Sequence, residues 1–225
     1  MNYTIVSPAY LPDINYFIPL VNCTLVLYCD QYQYVKRSSV NRSYPVNNFK
    51  KLTIPVKHDG IKPISQKIIA QVESWQQSHL KTIKHLYNSL PFFDDYFEDL
   101  KRTFNHTTPF LTDFLQIQLK FFLNVLRINP QVIPLSSFSN YQNIEEVIIR
   151  VNRKNGFCFQ FFKEYEIRGW LDPTILLNNK IKIETLQKFN GNNNYNQSIL
   201  NFIFQYGPES AYLIREIKQS CYLLR

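Results

Sequence analysis

Tyr34, Lys36, Asn41 and Arg42 crowd into one short stretch that follows Asp30, with Tyr10 further upstream. These residue types suit an anionic ligand. Arg offers a planar fork and Lys a mobile point charge, and together they can clamp a diphosphate. Asp30 and Asn41 supply polar groups that would orient such a ligand. Each cation taken singly also fits a solvated surface, and Asp30 alone also fits the turn that ends a strand. His79 follows Trp75 by four positions, so on a helix the two share a face. A histidine there is an acid/base or a phosphate donor, or else a half-buried side chain at the edge of an apolar stripe.

Other chemistries lack their residues. The turn after the first strand has no glycine, which removes a Walker A loop and a dinucleotide fingerprint from that position. His58, His79, His85 and His106 have no zinc-ligand spacing, so no metal is expected. There is no Gly-x-Ser-x-Gly elbow. Asp94-Asp95 and Glu98-Asp99 fall in the first turns of a helix, where acids offset the helix dipole. No motif indicates a cofactor, so the cofactor is unknown.

The net charge of +8 is unevenly spread. Lys36, Arg37, Arg42, Lys50, Lys51, Lys57, Lys62 and Lys67 face Asp59 as the only acid between positions 36 and 67. Such a surface draws an anionic partner or is simply hydrated. Phosphate, a sugar nucleotide, a membrane headgroup and nucleic acid all carry the matching charge. Nucleic acid is disfavoured, because no recognised module accompanies the basic stretch.

The elements that must position these residues follow from the apolar pattern. Tyr3 to Val6 reads as a strand. Pro12 suits the first turn of a helix, since its fixed φ and missing N–H cost nothing there. Ile14, Phe17, Leu20 and Val21 give that helix its apolar face. Thr24 to Cys29 is a continuous apolar run, as in a strand covered on both faces. The result is a βαβ unit with a right-handed crossover. Tyr10 and Asp30 then lie at the carboxyl ends of two parallel strands, the edge where ligands bind.

Leu52 to Val56 alternates like an edge strand, marked as such by Pro55, and Ile64 to Ala70 reads as a weak strand. Ser74 with Gln77 fits a capping box, opening a helix to about Leu90. Pro91 opens a second helix to about Phe104, and Thr108-Pro109 opens a third that Asn129-Pro130 stops. Val147 to Val151 and Phe157 to Phe162 are two strands, or one of them is a helix. Asn190 to Asn194 is a loop. Ser198 caps a short helix that Gly207 ends in a left-handed conformation, and Pro208-Glu209 starts the last helix.

The expected fold class is α/β. An N-terminal βαβ unit sits in a mainly parallel sheet, with a helical middle region and C-terminal helices. The chain reads as a single domain, residues 1–225. Its parts are a βαβ and basic β region at 1–70, helices at 71–128, a mixed stretch at 129–195 and closing helices at 196–225. Residues 1–10 lack the basic start and apolar core of a secretory signal, and no apolar run reaches membrane-span length. Cys23, Cys29, Cys158 and Cys221 form no Cys-x-x-Cys pair. They are expected as reduced, packed thiols in a cytoplasmic protein without stable membrane insertion.

A set of ordered matches identifies the chain as a member of the WbqC-like family. It resembles that family in Pro8-x-Tyr10-Leu11-Pro12 with Tyr16-Phe17, in the strand closing on Asp30, and in Tyr34-x-Lys36 leading to Asn41-Arg42. Leu52 to Val56, Trp75 with His79-Leu80, Leu86-Tyr87 and Pro91-Phe92-Phe93 continue the pattern. Asn196 to Leu200 and Phe204 to Ser210 complete it. Val6-Ser7 stands where many members have His-Gln, Gln76 where they have Arg, and Asn201 where they have Asp. A Ser-Gly-Pro segment common in the third quarter is missing. The pattern is similar to the variant of Bacteroidetes-type bacteria.

The resemblance implies a part in bacterial surface-polysaccharide (O-antigen) biosynthesis. It also implies acyl or glycyl transfer to a nucleotide-linked amino sugar, hence a phosphorylated small molecule or nucleotide sugar as partner. His79 and Asp30 would be catalytic. Tyr10, Tyr34, Lys36, Asn41, Arg42 and Trp75 would bind the ligand. The altered Val6, Gln76 and Asn201 leave open a non-catalytic binding or assembly module of the same pathway.

Overall fold

The structure is a computed structural model that describes residues 2–45, 51–155, 158–163, 165, 169–189 and 198–221. Its centre is a five-stranded, all-parallel sheet in the order β5-β2-β1-β6-β7. The strands are β1 (Asn2–Val6), β2 (Cys23–Tyr28), β5 (Gln131–Pro134), β6 (Cys158–Phe162) and β7 (Ile183–Leu186). β1, β2 and β6 are buried almost throughout, as interior strands covered on both faces must be. β5 and β7 are half-exposed and form the edges. The expected α/β class with a βαβ start is therefore observed.

The chain leaves β1 for β2 and β5 on one side, then returns to β6 and β7 on the other. The order of connection thus reverses at β1/β6. Pairing of β1 with β6 stops at Thr4↔Gln160, while β1–β2 pairing continues to Val6↔Tyr28. The two strands part at their carboxyl ends, as at the switch point of open α/β sheets.

Helix α1 (Ile14–Phe17) connects β1 to β2. Asp13 is its cap, accepting from Tyr16 N–H at 3.3 Å, so Pro12 lies one residue outside the cap rather than in the first turn. The helical middle region consists of α2 (Trp75–Tyr87), α3 (Phe93–Phe104) and α4 (Leu111–Val125). The ambiguity after residue 131 resolves as helix α5 (Ile144–Asn155) followed by strand β6. Buried Ile144, Val147, Ile148 and Val151 recur at helical spacing, which decides it. Helices α6 (Pro173–Asn178), α7 (Ile199–Tyr206) and α8 (Ser210–Ser220) follow. Ser198 caps α7 by accepting from Leu200 N–H at 3.3 Å, and Gly207 ends it at φ +50°.

Three further local expectations are corrected. Strand β4 covers only Leu52–Thr53 and pairs antiparallel with β3 (Arg42–Ser43) in a separate ribbon. Residues 64–70 form no strand. Ile64–Gln66 is a 3-10 turn, and Ile68 and Ile69 make only isolated bridges. Lys67 turns inward there to meet Asp59 and the Gly60 carbonyl, which breaks the alternation a strand requires. Ser74 adopts φ +59° and makes no cap hydrogen bond, so the capping box is absent. The Asn190–Asn194 loop lies outside the described residues.

Candidate functional site

Two clusters form around the loops after β1 and β2. The first is aromatic. Tyr10 Oη and His79 Nδ1 lie 2.7 Å apart, and the His79 ring sits 5.2 Å from Trp75. Phe104 and Phe114 close round both Tyr10 and Trp75. Tyr10 is buried and keeps its proton, because burial raises its pKa. The phenol proton has no other acceptor among the described residues, so it is assigned to Nδ1, which leaves the imidazole proton on Nε2. Nε2 has no hydrogen-bond partner among the described residues. The turn that carries Tyr10 is strained, with Leu11 at φ +42°. Hydrogen bonds hold it there: Tyr10 N–H to the Ser39 carbonyl at 2.9 Å, and Ser43 Oγ to the Leu11 carbonyl at 2.8 Å. These bonds also fasten the basic loop to the first turn.

Burial lowers the pKa of His79 to about 4, so the ring is neutral at pH 7. The stability consequence has a definite sign. Below pH 6.5 the unfolded chain takes up the proton and the folded chain does not. Stability falls from there as pH drops, and the loss levels off below about pH 4. The contribution between pH 7 and 5 is roughly 2 kcal/mol. Urea midpoints measured across this range should show that slope, and His79→Gln should flatten it. An unchanged slope in the variant refutes the assignment.

The second cluster is cationic. Tyr34, Lys36, Val56, Lys57, His58, Gly60, Ile61 and Lys67 line a cavity of about 380 Å³. The loop after β2 forms one wall and is laced to the opposite one. Tyr34 N–H donates to the Lys62 carbonyl at 3.0 Å, Ile64 N–H to Tyr32, and Ser65 N–H to Asp30. Buried Lys67 anchors the other wall. Its ammonium reaches Asp59, donates to the Gly60 carbonyl at 3.0 Å and lies 5.3 Å from the Tyr34 ring centre. Hydrogen bonds from Lys67 and then Lys62 hold the Asp59 carboxyl down at about 2. That acid is therefore already compensated, and Lys36 and Lys57 face the cavity with no acid among the lining residues.

Arg42 stands close enough to Tyr34 to act on its phenol electrostatically, and its Nε is buried with no partner. Asn41 is fixed to Ile54 through both backbone and side chain, and its Oδ1 is likewise buried and unpartnered. These are a buried donor and a buried acceptor without partners on consecutive residues, next to but outside the cavity lining.

Asp30 has another occupation. It is 2% exposed, and its two oxygens accept from Ser136 N–H at 2.9 Å and Ser136 Oγ at 2.5 Å. That locks the end of β2 to the turn after β5. Tyr10 and Trp75 wall in His79 rather than facing the cavity, and no residue is common to the two clusters. The eight expected residues thus divide into Tyr10, Trp75 and His79, then Tyr34 and Lys36 with nearby Arg42 and its neighbour Asn41, and Asp30 alone. Lys57, His58 and Lys67 are additions. Their signal was the Asp59-Gly60 turn pair, which folds their segment back on itself. A hollow of about 430 Å³ between α3 and α4, lined by Asp95, Asp99, Lys120 and Phe121 among others, involves none of the candidate residues. No cluster of metal-ligating residues occurs among the described residues.

A family model described as the WbqC-like protein family matches residues 7–210. The chain belongs to the WbqC-like protein family. No curated protein and no solved structure gives a significant match. In this WbqC-like chain the position preceding Ser7 is Val6, buried at the end of β1, and its carbonyl accepts from Cys29 N–H at 2.8 Å. The described residues include no helix long and apolar enough to cross a membrane.

Proposed function

We propose that this WbqC-like protein binds a nucleotide-linked amino sugar in bacterial surface-polysaccharide biosynthesis. The cationic cavity carries the reading. Lys36 and Lys57 would meet the diphosphate, with Arg42 supplying its fork from beside Tyr34 and Asn41 orienting the sugar. Lys67, already paired with Asp59, would hold the wall. The transfer of an acyl or glycyl group to the amino sugar is the reaction proposed for the site. In it the sugar nitrogen forms an amide with an activated acyl donor, whose leaving group departs as the nitrogen loses a proton.

A second reading, a non-catalytic binding or assembly module, draws on two particular observations. A histidine with a pKa near 4 is a poor proton acceptor at pH 7. Both oxygens of Asp30 are engaged by Ser136. In that reading the same cavity holds the ligand, and His79 stays in the separate aromatic cluster bonded to Tyr10.

A panel of sugar nucleotides separates binding from its absence. A ligand at about one hundred times its Kd adds about 2.7 kcal/mol, which raises Tm by roughly 5–10 °C in a chain of this size. Lys36→Ala/Lys57→Ala should lose most of that rise while melting normally without ligand, since both side chains are exposed. No rise with any member, together with an unchanged melt for Arg42→Ala in their presence, rejects the proposal.

A further inference from the structure

Ile61 is 85% exposed and Val35 58% exposed, and they stand on the two loops that frame the cationic cavity. Scattered aliphatic side chains on a surface mean nothing by themselves. These two differ in their setting. Their loops are tied together by the Tyr34–Lys62 hydrogen bond and the Gln33/Pro63 bridge. The Ile61 tip turns through Gly60 at φ +90°, and buried Lys67 holds it by grasping Asp59 and the Gly60 carbonyl. The side chains are thus presented on a fixed frame, with little ordering left to do on binding. Lys36, Arg37 and Lys57 are exposed on the same two loops, Lys36 and Lys57 lining the cavity with Ile61, and Lys62 follows Ile61 in sequence. Asp59, the one acid between positions 36 and 67, is taken up by Lys62 and Lys67.

We infer that these tips dock the protein peripherally on an anionic bilayer surface. Aliphatic tips entering the headgroup layer, ringed by cations that meet lipid phosphates, are the chemistry of interfacial binding. A second copy of the same face would bring like charges together, which argues against self-association through it. Because Ile61 also lines the cavity, docking sets the cavity mouth beside the headgroups. The inference is independent of which soluble ligand the cavity takes.

Co-sedimentation of the full chain with vesicles provides the test. Vesicles of phosphatidylcholine with a quarter phosphatidylglycerol should bind it at low salt, and phosphatidylcholine alone should not. Val35→Ser/Ile61→Ser and, separately, Arg37→Glu should each weaken binding about tenfold. Both variants change exposed side chains, so an unaltered Tm certifies their fold. Failure to sediment with anionic vesicles at low salt overturns the inference. So does binding that survives the serine substitutions and is lost only on charge reversal, since that marks a surface for an acidic macromolecule. A concentration-dependent dimer abolished by Ile61→Ser would give the face to a second copy, and overturns it equally.

Discussion

Gly207→Ala should lower the melting temperature by roughly 6–12 °C, from a loss of about 3 kcal/mol. Two causes combine. Gly207 sits at φ +50°, ψ −126°, the mirror image of the polyproline region, which only glycine enters without strain. A Cβ there would also lie 2.5 Å from the Phe92 ring. Phe92 has little freedom to retreat. Its N–H donates to the Phe204 carbonyl at 2.9 Å, and its neighbour Phe93 packs against the Phe204 ring at 5.1 Å. The steric part is separable from the backbone part. Adding Phe92→Ala to Gly207→Ala should cost less than the sum of the two single changes. Strict additivity would show that the contact does not matter.

Lys218→Ala should cost about 2–4 kcal/mol, and Lys218→Met distinctly less than Lys218→Ala. Lys218 on α8 is 2% exposed. Its ammonium donates to the Val21 carbonyl at 2.6 Å and to Gln160 Oε1 at 2.8 Å. Gln160, in the middle of β6, passes its amide on to Glu184 Oε2 at 2.6 Å, and its carbonyl accepts from Thr4 Oγ1 at 2.7 Å. One buried cation therefore joins the last helix, the turn before β2 and the core of β6. Burial lowers its pKa, so the group sits at a cost that only its acceptors offset. Alanine removes the donor and leaves a void. Methionine keeps the aliphatic bulk and removes the buried charge. Urea midpoints with unchanged m-values give the comparison. Equal losses for the two substitutions would assign the effect to the ammonium alone, and no loss in either would refute the clasp.

Neither clasp was legible along the chain, for a physical reason. Lys218 lies in an ordinary amphipathic pattern, and its partners at Val21 and Gln160 are far away in sequence. Gly207 was readable as a helix stop, but nothing in its neighbourhood announced Phe92. The central strands were legible because β1 and β2 are buried on both faces and so read as unbroken apolar runs. The stretch from Ile64 to Ala70 misled for the converse reason. Its isoleucines alternate weakly, while the inward turn of Lys67 depends on Asp59, a partner that periodicity does not encode.

The candidate site divides the same way. Tyr34, Lys36 and Arg42 could be grouped from charge and proximity in sequence. The link of Tyr10 to His79 spans two elements and came only from the fold. Asp30 looked available because a strand-end carboxylate usually faces solvent. Ser136, after β5, takes both its oxygens.

The place of β1 in the sheet has a consequence during synthesis. Residues 2–6 are made long before residues 158–162, with which one side of β1 pairs. On the ribosome β1, β2 and β5 can associate early, leaving an apolar, unpaired flank on β1 until β6 is made. That interval is when the nascent chain is most open to aggregation and to chaperone capture. Chains truncated between β5 and β6 should therefore be trapped in that state, whereas chains extended through β7 have the strands to close the sheet.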